Sequence, residues 1–415
     1  MNVIATKDRR YRVAVAVTLL ALVVRGLFVA FYPATPMAGG DPAAYWSFAQ
    51  SIAAGQGFRS SIEPYLADRP PLYPFFLAGL MRLLGQSREM VFWVQAILGA
   101  LAGGGYYLLA VELLGEGRGL IAGLLFALLP HFMLFTKQVL TESLYIFLLV
   151  SLLGALTLPH VPRRFDYRRW IVVGLLAGLI ILVRREGLLP SAVLTVSFAA
   201  IYFSGQKVDA FKAVALAALM AAFVVSPWVV RNWRVLGKPM LTSTSGLNFL
   251  VGNNPDADGG YTPLPAEWVP MFAGLGEVAH DQKAWEMSLN WIKTHFSDFV
   301  GLLPGKLAYL WGAAHNAVLD GVDLVLIPFY GVGLWRLWQR QGRWQCLLAV
   351  VVALVLGVTL IGVMFVGGWR YRQAAYPALL LFAAYGAPLE WVLRFKWVTE
   401  WLRKLDTTDK SQIHA

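Results

Sequence analysis

The sequence predicts an all-α, polytopic membrane protein with about ten transmembrane helices and amphipathic helices on its outer loops. Three observations predict it. Hydrophobic residues make up 58% of the 415 residues and charged residues only 14%, against about 25% charged in a soluble domain. Mean hydropathy is +0.59. Apolar runs long enough to cross a bilayer recur along the chain, and Lys/Arg clusters recur at alternate ends of them. An ordinary soluble domain, a disordered tail and a disulfide scaffold are excluded. The one cysteine, Cys346, cannot pair within the chain. A net charge of +11 reads as topology rather than nucleic-acid binding, because Lys and Arg stay on the cytoplasmic side. There is no zinc-type Cys/His spacing, P-loop, Rossmann glycine pattern or internal repeat.

The first span is Tyr11–Tyr32. Lys7, Arg9, Arg10 and Arg12 precede it, so the N-terminus is expected in the cytoplasm. The run is too long for a signal peptide, and no A-x-A-like site follows it. Leu72–Leu84 is apolar but short and interrupted by Arg82. Spanning there would put Arg163, Arg164, Arg168 and Arg169 outside, so it is expected to lie along the outer interface. The remaining spans follow in alternation: Arg88–Leu114, Leu120–Phe135, Leu140–Leu158, Trp170–Val183, Leu188–Ser204, Val214–Val230, Val318–Trp338, Gln345–Val366 and Gln373–Leu393. Both termini are then cytoplasmic.

Four regions result: a transmembrane module over 1–231 with a first outer loop at 33–87, a long outer loop at 232–316, C-terminal helices at 317–393, and a basic cytoplasmic tail at 394–415. Pro42–Ala54 and Ala284–Phe299 each carry aromatics on one helical face, which suits amphipathic helices at the outer surface.

This topology collects polar groups on one side. Asp41 follows the first span, and Asp68-Arg69 precede Pro70-Pro71. Glu142 starts the fourth span. Arg184 and Arg185 end the fifth, Arg231 and Asn232 the seventh, Arg370 and Arg372 the ninth. Arg25 lies within the first span, where an ionisable group is costly and marks function by default. Each has a bland reading. Asp41 suits an N-cap for a helix starting at Pro42. The arginines suit snorkelling anchors or an aromatic belt around Tyr371. His131, His280, His295 and His315 show no ligand spacing and read as structural. Jointly, arginines ending outward spans run against the positive-inside bias. Guanidinium groups at one depth suit a phosphate held bidentately, and a nearby carboxylate suits removal of a hydroxyl proton during attack.

Four stretches carry a resemblance. They are Gly40-Asp41-Pro42-Ala43-Ala44-Tyr45 with Ala53-Ala54-Gly55-Gln56-Gly57-Phe58; Asp68-Arg69-Pro70-Pro71-Leu72-Tyr73-Pro74; Pro227-Trp228, Arg231-Asn232, Gly246 and Gly252-Asn253; and Arg370-Tyr371-Arg372 with Tyr376-Pro377. In order and shared side these resemble the GT-C glycosyltransferases of the protein O-mannosyltransferase and lipid A aminoarabinose transferase group. The likeness is strongest over residues 1–255. It implies inverting transfer of a sugar from a polyprenyl-phosphate donor to a hydroxyl at the outer face of a bacterial inner membrane. It places Asp41 as general base, with Asp68 and Glu142 orienting acceptor or sugar. Tyr45, Arg69, Arg184, Arg231, Asn232, Arg370 and Arg372 are expected to bind substrate, with Arg69, Arg184, Arg231 and Arg372 the candidates for the donor phosphate. The amphipathic helices would form a lid and a lateral gate.

The sequence departs from the group in two ways. Gly-Asp-Pro stands where O-mannosyltransferases have an adjacent acidic pair, which favours a lipid or glycan acceptor over a protein. No large soluble C-terminal domain follows the last span. No cofactor is expected with certainty; a divalent cation is an option if Asp41, Asp68 and Glu142 converge. Expected partners are the lipid-linked sugar, the acceptor and the membrane, with no nucleic acid. Two rivals use the same lipid-linked sugars: a transporter or flippase, which would need charges along a path through the membrane, and a glycan polymerase or ligase. A membrane scaffold would not need acids and arginines on one side.

Overall fold

The computed structural model describes residues 2–34, 37, 39–62, 65–157, 165–312, 317–340 and 343–388. Arg163, Arg164, His315 and the tail at 394–415 lie outside them. Every regular element among these residues is helical. The helices are α1 Asn2–Phe31, α2 Gly40–Ala53, α3 Leu72–Leu84, α4 Arg88–Leu114, α5 Glu116–Leu128, α6 Pro130–Met133, α7 Glu142–Thr157 and α8 Tyr167–Val183. They continue with α9 Leu188–Tyr202, α10 Lys207–Leu236, α11 Ser245–Val251, α12 Glu277–Thr294, α13 Phe296–Trp311, α14 Ala317–Trp338, α15 Arg343–Met364 and α16 Tyr376–Gly386.

Among the described residues four helices are long and apolar enough to cross a membrane: Asp8–Phe31, Arg88–Leu114, Lys207–Leu236 and Val318–Trp338. A fifth is added if the bent α5–α6 pair counts as one span. Shorter apolar helices, among them α7 and α16, pack between them. This is a multi-pass membrane protein. Phe211, Leu219 and Phe223 on α10 and Leu324 and Val325 on α14 are exposed, as lipid-facing side chains should be.

Local chemistry sets the boundaries. Ser87 caps α4, its hydroxyl accepting from Met90 N. Gly115, at φ 86°, turns the chain directly into α5. The expected span Leu120–Phe135 is in fact broken. Leu129 is extended because Pro130 follows it, and the chain bends by 46° there. A second expected continuity, the amphipathic stretch Ala284–Phe299, is broken at His295 into α12 and α13. Helix α10 tolerates Pro227 in its interior and runs on to a left-handed Gly237. Arg231 and Asn232 therefore lie on a helix rather than at the start of a loop.

Asp41 is likewise no N-cap. Gly39 holds that position without a side-chain bond, and Asp41 sits in the first turn of α2. Its carboxylate is left to other partners. Helix α3 lies against α2, and Arg82 donates to the carbonyls of Ile52 and Ala53 at 3.0 Å each. A cation is favourable at that helix end. Around these, α1 packs on α4, α4 on α5 and α7, α8 on α7 and α10, and α16 on α5 and α14.

The segments around residues 65–68, 240–248 and the start of α12 are tied to one another. Glu277, at the start of α12, accepts from Leu66 N and Ala67 N, both at 2.7 Å, and from the Ser243 hydroxyl. Ser243 N donates to Ala67 O at 2.8 Å, and Thr244 Oγ1 to Asp68 O at 2.9 Å. The segment bearing Asp68 and Arg69 is thus held from Ser243, Thr244 and the start of α12. Gly252 lets the backbone after α11 pass close to the segment after α15: a Cβ would lie 1.7 Å from Phe365 O.

Candidate active site

A cleft of about 560 Å³ opens where α2, the start of α7, the end of α8, the 242–248 segment and the 366–371 segment converge. Asp41, Tyr45, Asp68, Arg69, Arg184, Arg185, Glu186 and Arg370 line its charged part. Tyr261, Tyr309, Trp369 and Tyr371 line an aromatic part, and Thr242, Thr244 and Asn248 a hydroxyl and amide part. On α2, Asp41 and Tyr45 are four residues apart and so share a face.

The charges form a chain. Arg69 Nη1 lies 2.9 Å from Asp41 Oδ1. Arg370 Nη1 donates to Asp41 Oδ2 at 2.7 Å, and its Nε to Glu142 Oε1 at 2.5 Å. Arg184 Nη1 donates to Glu142 Oε1 at 2.8 Å. Arg69 Nε also lies 3.2 Å from Asp68, and Arg185 Nε 3.2 Å from Glu186. Arg185 Nη1 reaches the hydroxyls of Thr242 and Ser245 at 3.0 Å each. Four carboxylates, Asp41, Asp68, Glu142 and Glu186, thus meet four guanidiniums, Arg69, Arg184, Arg185 and Arg370.

Burial pushes the Asp41 carboxyl up, but Arg69 and Arg370, with Arg184 behind them, outweigh it and hold it below its ordinary range. Burial pulls the Arg370 guanidinium down; Glu142 and Asp41 more than reverse this and leave it raised. Arg184 is raised in the same way by Glu142 and Glu186. Asp41, Arg184 and Arg370 are therefore held in their charged forms in the folded site.

The expected residues divide into two groups. Asp41, Tyr45, Asp68, Arg69, Arg184 and Arg370 line the cleft. Glu142 is fully buried behind it and grips Arg184 and Arg370 from below. Arg231, Asn232 and Arg372 do not line the cleft. Arg231 Nη1 donates to Leu66 O at 2.6 Å, and the buried Asn232 donates to Met240 O at 2.9 Å. Both fasten loops. Arg372 turns into the bundle and meets Asp323 Oδ2 at 2.8 Å, beside His131 at 3.2 Å and Tyr376 at 3.2 Å.

That cluster was not visible beforehand. Asp323 lies in an apolar run with no local motif. Arg185, gathered with the same charges by the sequence, is not among the residues expected to bind substrate, and Glu186 beside it could have been found by adjacency. Asn248 on α11, Tyr261, and Tyr309 on α13 carry no local signal. Asp41 and Glu142 do converge, but on one guanidinium. Among the described residues no group of three His, Cys, Asp or Glu is placed to hold a metal ion. A divalent cation does not fit between the two carboxylates while Arg370 bridges them.

Comparison with known proteins bears on this arrangement. Residues 68–230 match the family model described as dolichyl-phosphate-mannose-protein mannosyltransferase. The fold is similar to the oligosaccharyltransferase of Archaeoglobus fulgidus tethered to an acceptor peptide. The TM-score is 0.56 at 16% identity, over 90% of this chain and 49% of that one. The chain has the GT-C fold. The same archaeal protein, AglB, with an inhibitory peptide and a dolichol-phosphate, gives a TM-score of 0.54 at 15% identity, over 90% of this chain and 50% of that one. ArnT from Cupriavidus metallidurans is a looser likeness, with a TM-score of 0.43 at 14% identity, over 90% and 76%. This chain spans about half the length of the archaeal protein. No curated protein sequence matches it.

Proposed function

We propose that this chain is an integral-membrane glycosyltransferase. It transfers a sugar from a polyprenyl-phosphate donor, with inversion, to a hydroxyl of a lipid or glycan at the outer face of a bacterial inner membrane. The observation that carries the reading is the Arg69–Asp41–Arg370–Glu142–Arg184 ion chain along one cleft. The family match and the GT-C fold support it. They also favour it over a transporter. The buried Asp323–Arg372 pair is closed on itself rather than strung along an open path.

The chemistry follows from the charges. The acceptor hydroxyl oxygen attacks the anomeric carbon as the bond from that carbon to the phosphate oxygen breaks. The bonding pair leaves with the phosphate, and the hydroxyl proton passes to Asp41. The donor phosphate is a diester with one negative charge; the departing polyprenyl phosphate gains a second. Guanidiniums aimed at it therefore bind the transition state more strongly than the donor. Arg69, Arg370 and Arg184 supply them.

In the substrate-free site those same arginines hold Asp41, which makes it a poor base. A donor phosphate competes for Arg69 and Arg370, since guanidinium pairs with phosphate as readily as with carboxylate. Their transfer to the donor loosens Asp41 and restores its basicity. The base is thus released by the substrate it must serve, so the donor binds before the acceptor. Glu142 keeps Arg184 and Arg370 within reach throughout.

The test is mass spectrometry of envelope glycolipids in cells carrying the parent chain or Asp41→Asn. Loss of about 10²–10⁴ in transfer, with the lipid-linked donor accumulating at normal protein level, is expected. Identical profiles would refute the base assignment.

A further inference from the structure

The end of the bundle opposite the cleft carries a second concavity, also of about 560 Å³, that the proposed transfer does not use. Arg118 near the start of α5, Trp335, Arg336, Gln339 and Arg340 at the end of α14, and Tyr385 at the end of α16 line it. It is built where backbones meet closely: a Cβ on Gly386 would lie 2.0 Å from Phe329 O, and one on Gly333 2.0 Å from Phe382 O. Small residues at those positions let α14 and α16 touch. Their C-terminal ends then stand side by side beside α5.

Arg336 Nη1 donates to Tyr385 O at 3.1 Å and Gly386 O at 3.3 Å, which fixes its guanidinium over the end of α16. Arg118 stacks over the Tyr385 ring at 4.1 Å, and its buried Nε has no acceptor among the described residues. Arg340 is exposed at the rim, and Trp335 is 60% exposed beside it.

The contrast with neighbouring arginines is informative. At the same end Arg9 and Arg10 are neutralised by Glu116 and Glu112, at 3.7 and 3.8 Å. None of Arg118, Arg336 and Arg340 is paired with a carboxylate among the described residues. Three guanidiniums around one concavity with no carboxylate partner among the described residues suit an anion bound from outside. A tryptophan at headgroup depth marks the membrane interface. The geometry points to a binding site for the phosphate of an anionic glycerophospholipid, with the acyl chains lying against the exposed apolar face of α14. Guanidinium groups suit phosphate, and basic pockets between spanning helices are suited to anionic headgroups. This site stands apart from the transfer reaction and does not depend on it.

The test is native mass spectrometry of the purified full-length chain titrated with dioleoylphosphatidylglycerol or dioleoylphosphatidylcholine. Phosphatidylglycerol should be retained at least about tenfold better. Arg118→Gln/Arg336→Gln/Arg340→Gln should lose that preference. Arg9→Gln/Arg10→Gln, at the same end, should keep it. Arg340→Gln alone alters an exposed side chain and should weaken retention several-fold, so the site can be tested even if the triple variant fails to fold. Equal retention of the two lipids by the parent chain overturns the proposal. So does an equal loss in the Arg9/Arg10 variant, which would reduce the pocket to general basic charge. Displacement of phosphatidylglycerol by equimolar inorganic phosphate would assign the pocket to a soluble anion and overturn the lipid assignment.

Discussion

Arg370→Gln is the most informative single change. Arg370 makes two of the four shortest contacts in the ion chain, 2.7 Å to Asp41 and 2.5 Å to Glu142. Its removal leaves Asp41 with Arg69 and Glu142 with Arg184. At an effective dielectric of about 20, a guanidinium about 4 Å from a phosphate charge contributes roughly 4 kcal/mol before solvent screening. The Arg370 side chain is 30% exposed, so about 1–3 kcal/mol survives, or about 10–100-fold in phosphate affinity. Binding of undecaprenyl phosphate to the purified protein, followed by native mass spectrometry, should weaken by that factor.

The variant should also move the pH dependence of transfer. With one of its two direct cations gone, burial pushes the Asp41 carboxyl up. The base must be ionised, so the acidic limb of the profile shifts to higher pH. Arg370→Lys should not restore affinity, because one ammonium cannot present two parallel donors. Unchanged undecaprenyl-phosphate affinity in Arg370→Gln would refute the clamp, and with it the donor-driven release of Asp41.

Three further changes test the scaffold. Glu277→Gln removes the carboxylate that binds Leu66 N and Ala67 N; it should cost about 1–3 kcal/mol and make residues 65–68 cleave faster in limited proteolysis. Gly252→Ala places a Cβ 1.7 Å from Phe365 O; the forced backbone shift should cost about 3 kcal/mol, seen as a lower Tm in detergent. Lys306 is fully buried, its ammonium bonded to Asn253 Oδ1 at 2.7 Å, and burial pulls its pKa down to about 8. Between that value and the ordinary one near 10.4 the unfolded chain holds a proton the folded chain lacks, so stability rises with pH across this window. Lys306→Met should abolish the rise in Tm between pH 8 and 10; an equal rise in both proteins would show that another group is responsible.

Much of this protein was legible in one dimension. Backbone groups cannot be left unsatisfied in lipid, so spanning helices must be long and apolar, and α3, α4 and α9 begin where the residues suggested, α8 three residues earlier. Asp41, Asp68, Arg69, Arg184 and Arg370 could be picked out because ionisable groups at the ends of apolar runs are costly and therefore conspicuous. Their pairing could not. Arg370 and Asp41 are 329 residues apart, and which guanidinium meets which carboxylate depends on where helices cross. Asp323 was silent for the same reason: an acid in an apolar run reveals nothing until Arg372 and His131 arrive from other elements. Local breaks such as Leu129-Pro130 and His295 change direction by single backbone angles, which hydropathy does not register. The sequence by itself determined a membrane-spanning, all-helical chain with charge gathered at one face. Only the tertiary structure decided that Glu142 grips arginines rather than facing the cleft, that Arg231 and Asn232 fasten loops, and that Arg372 turns inward. Electrostatic partners are set by distances of a few ångströms between elements far apart in the chain.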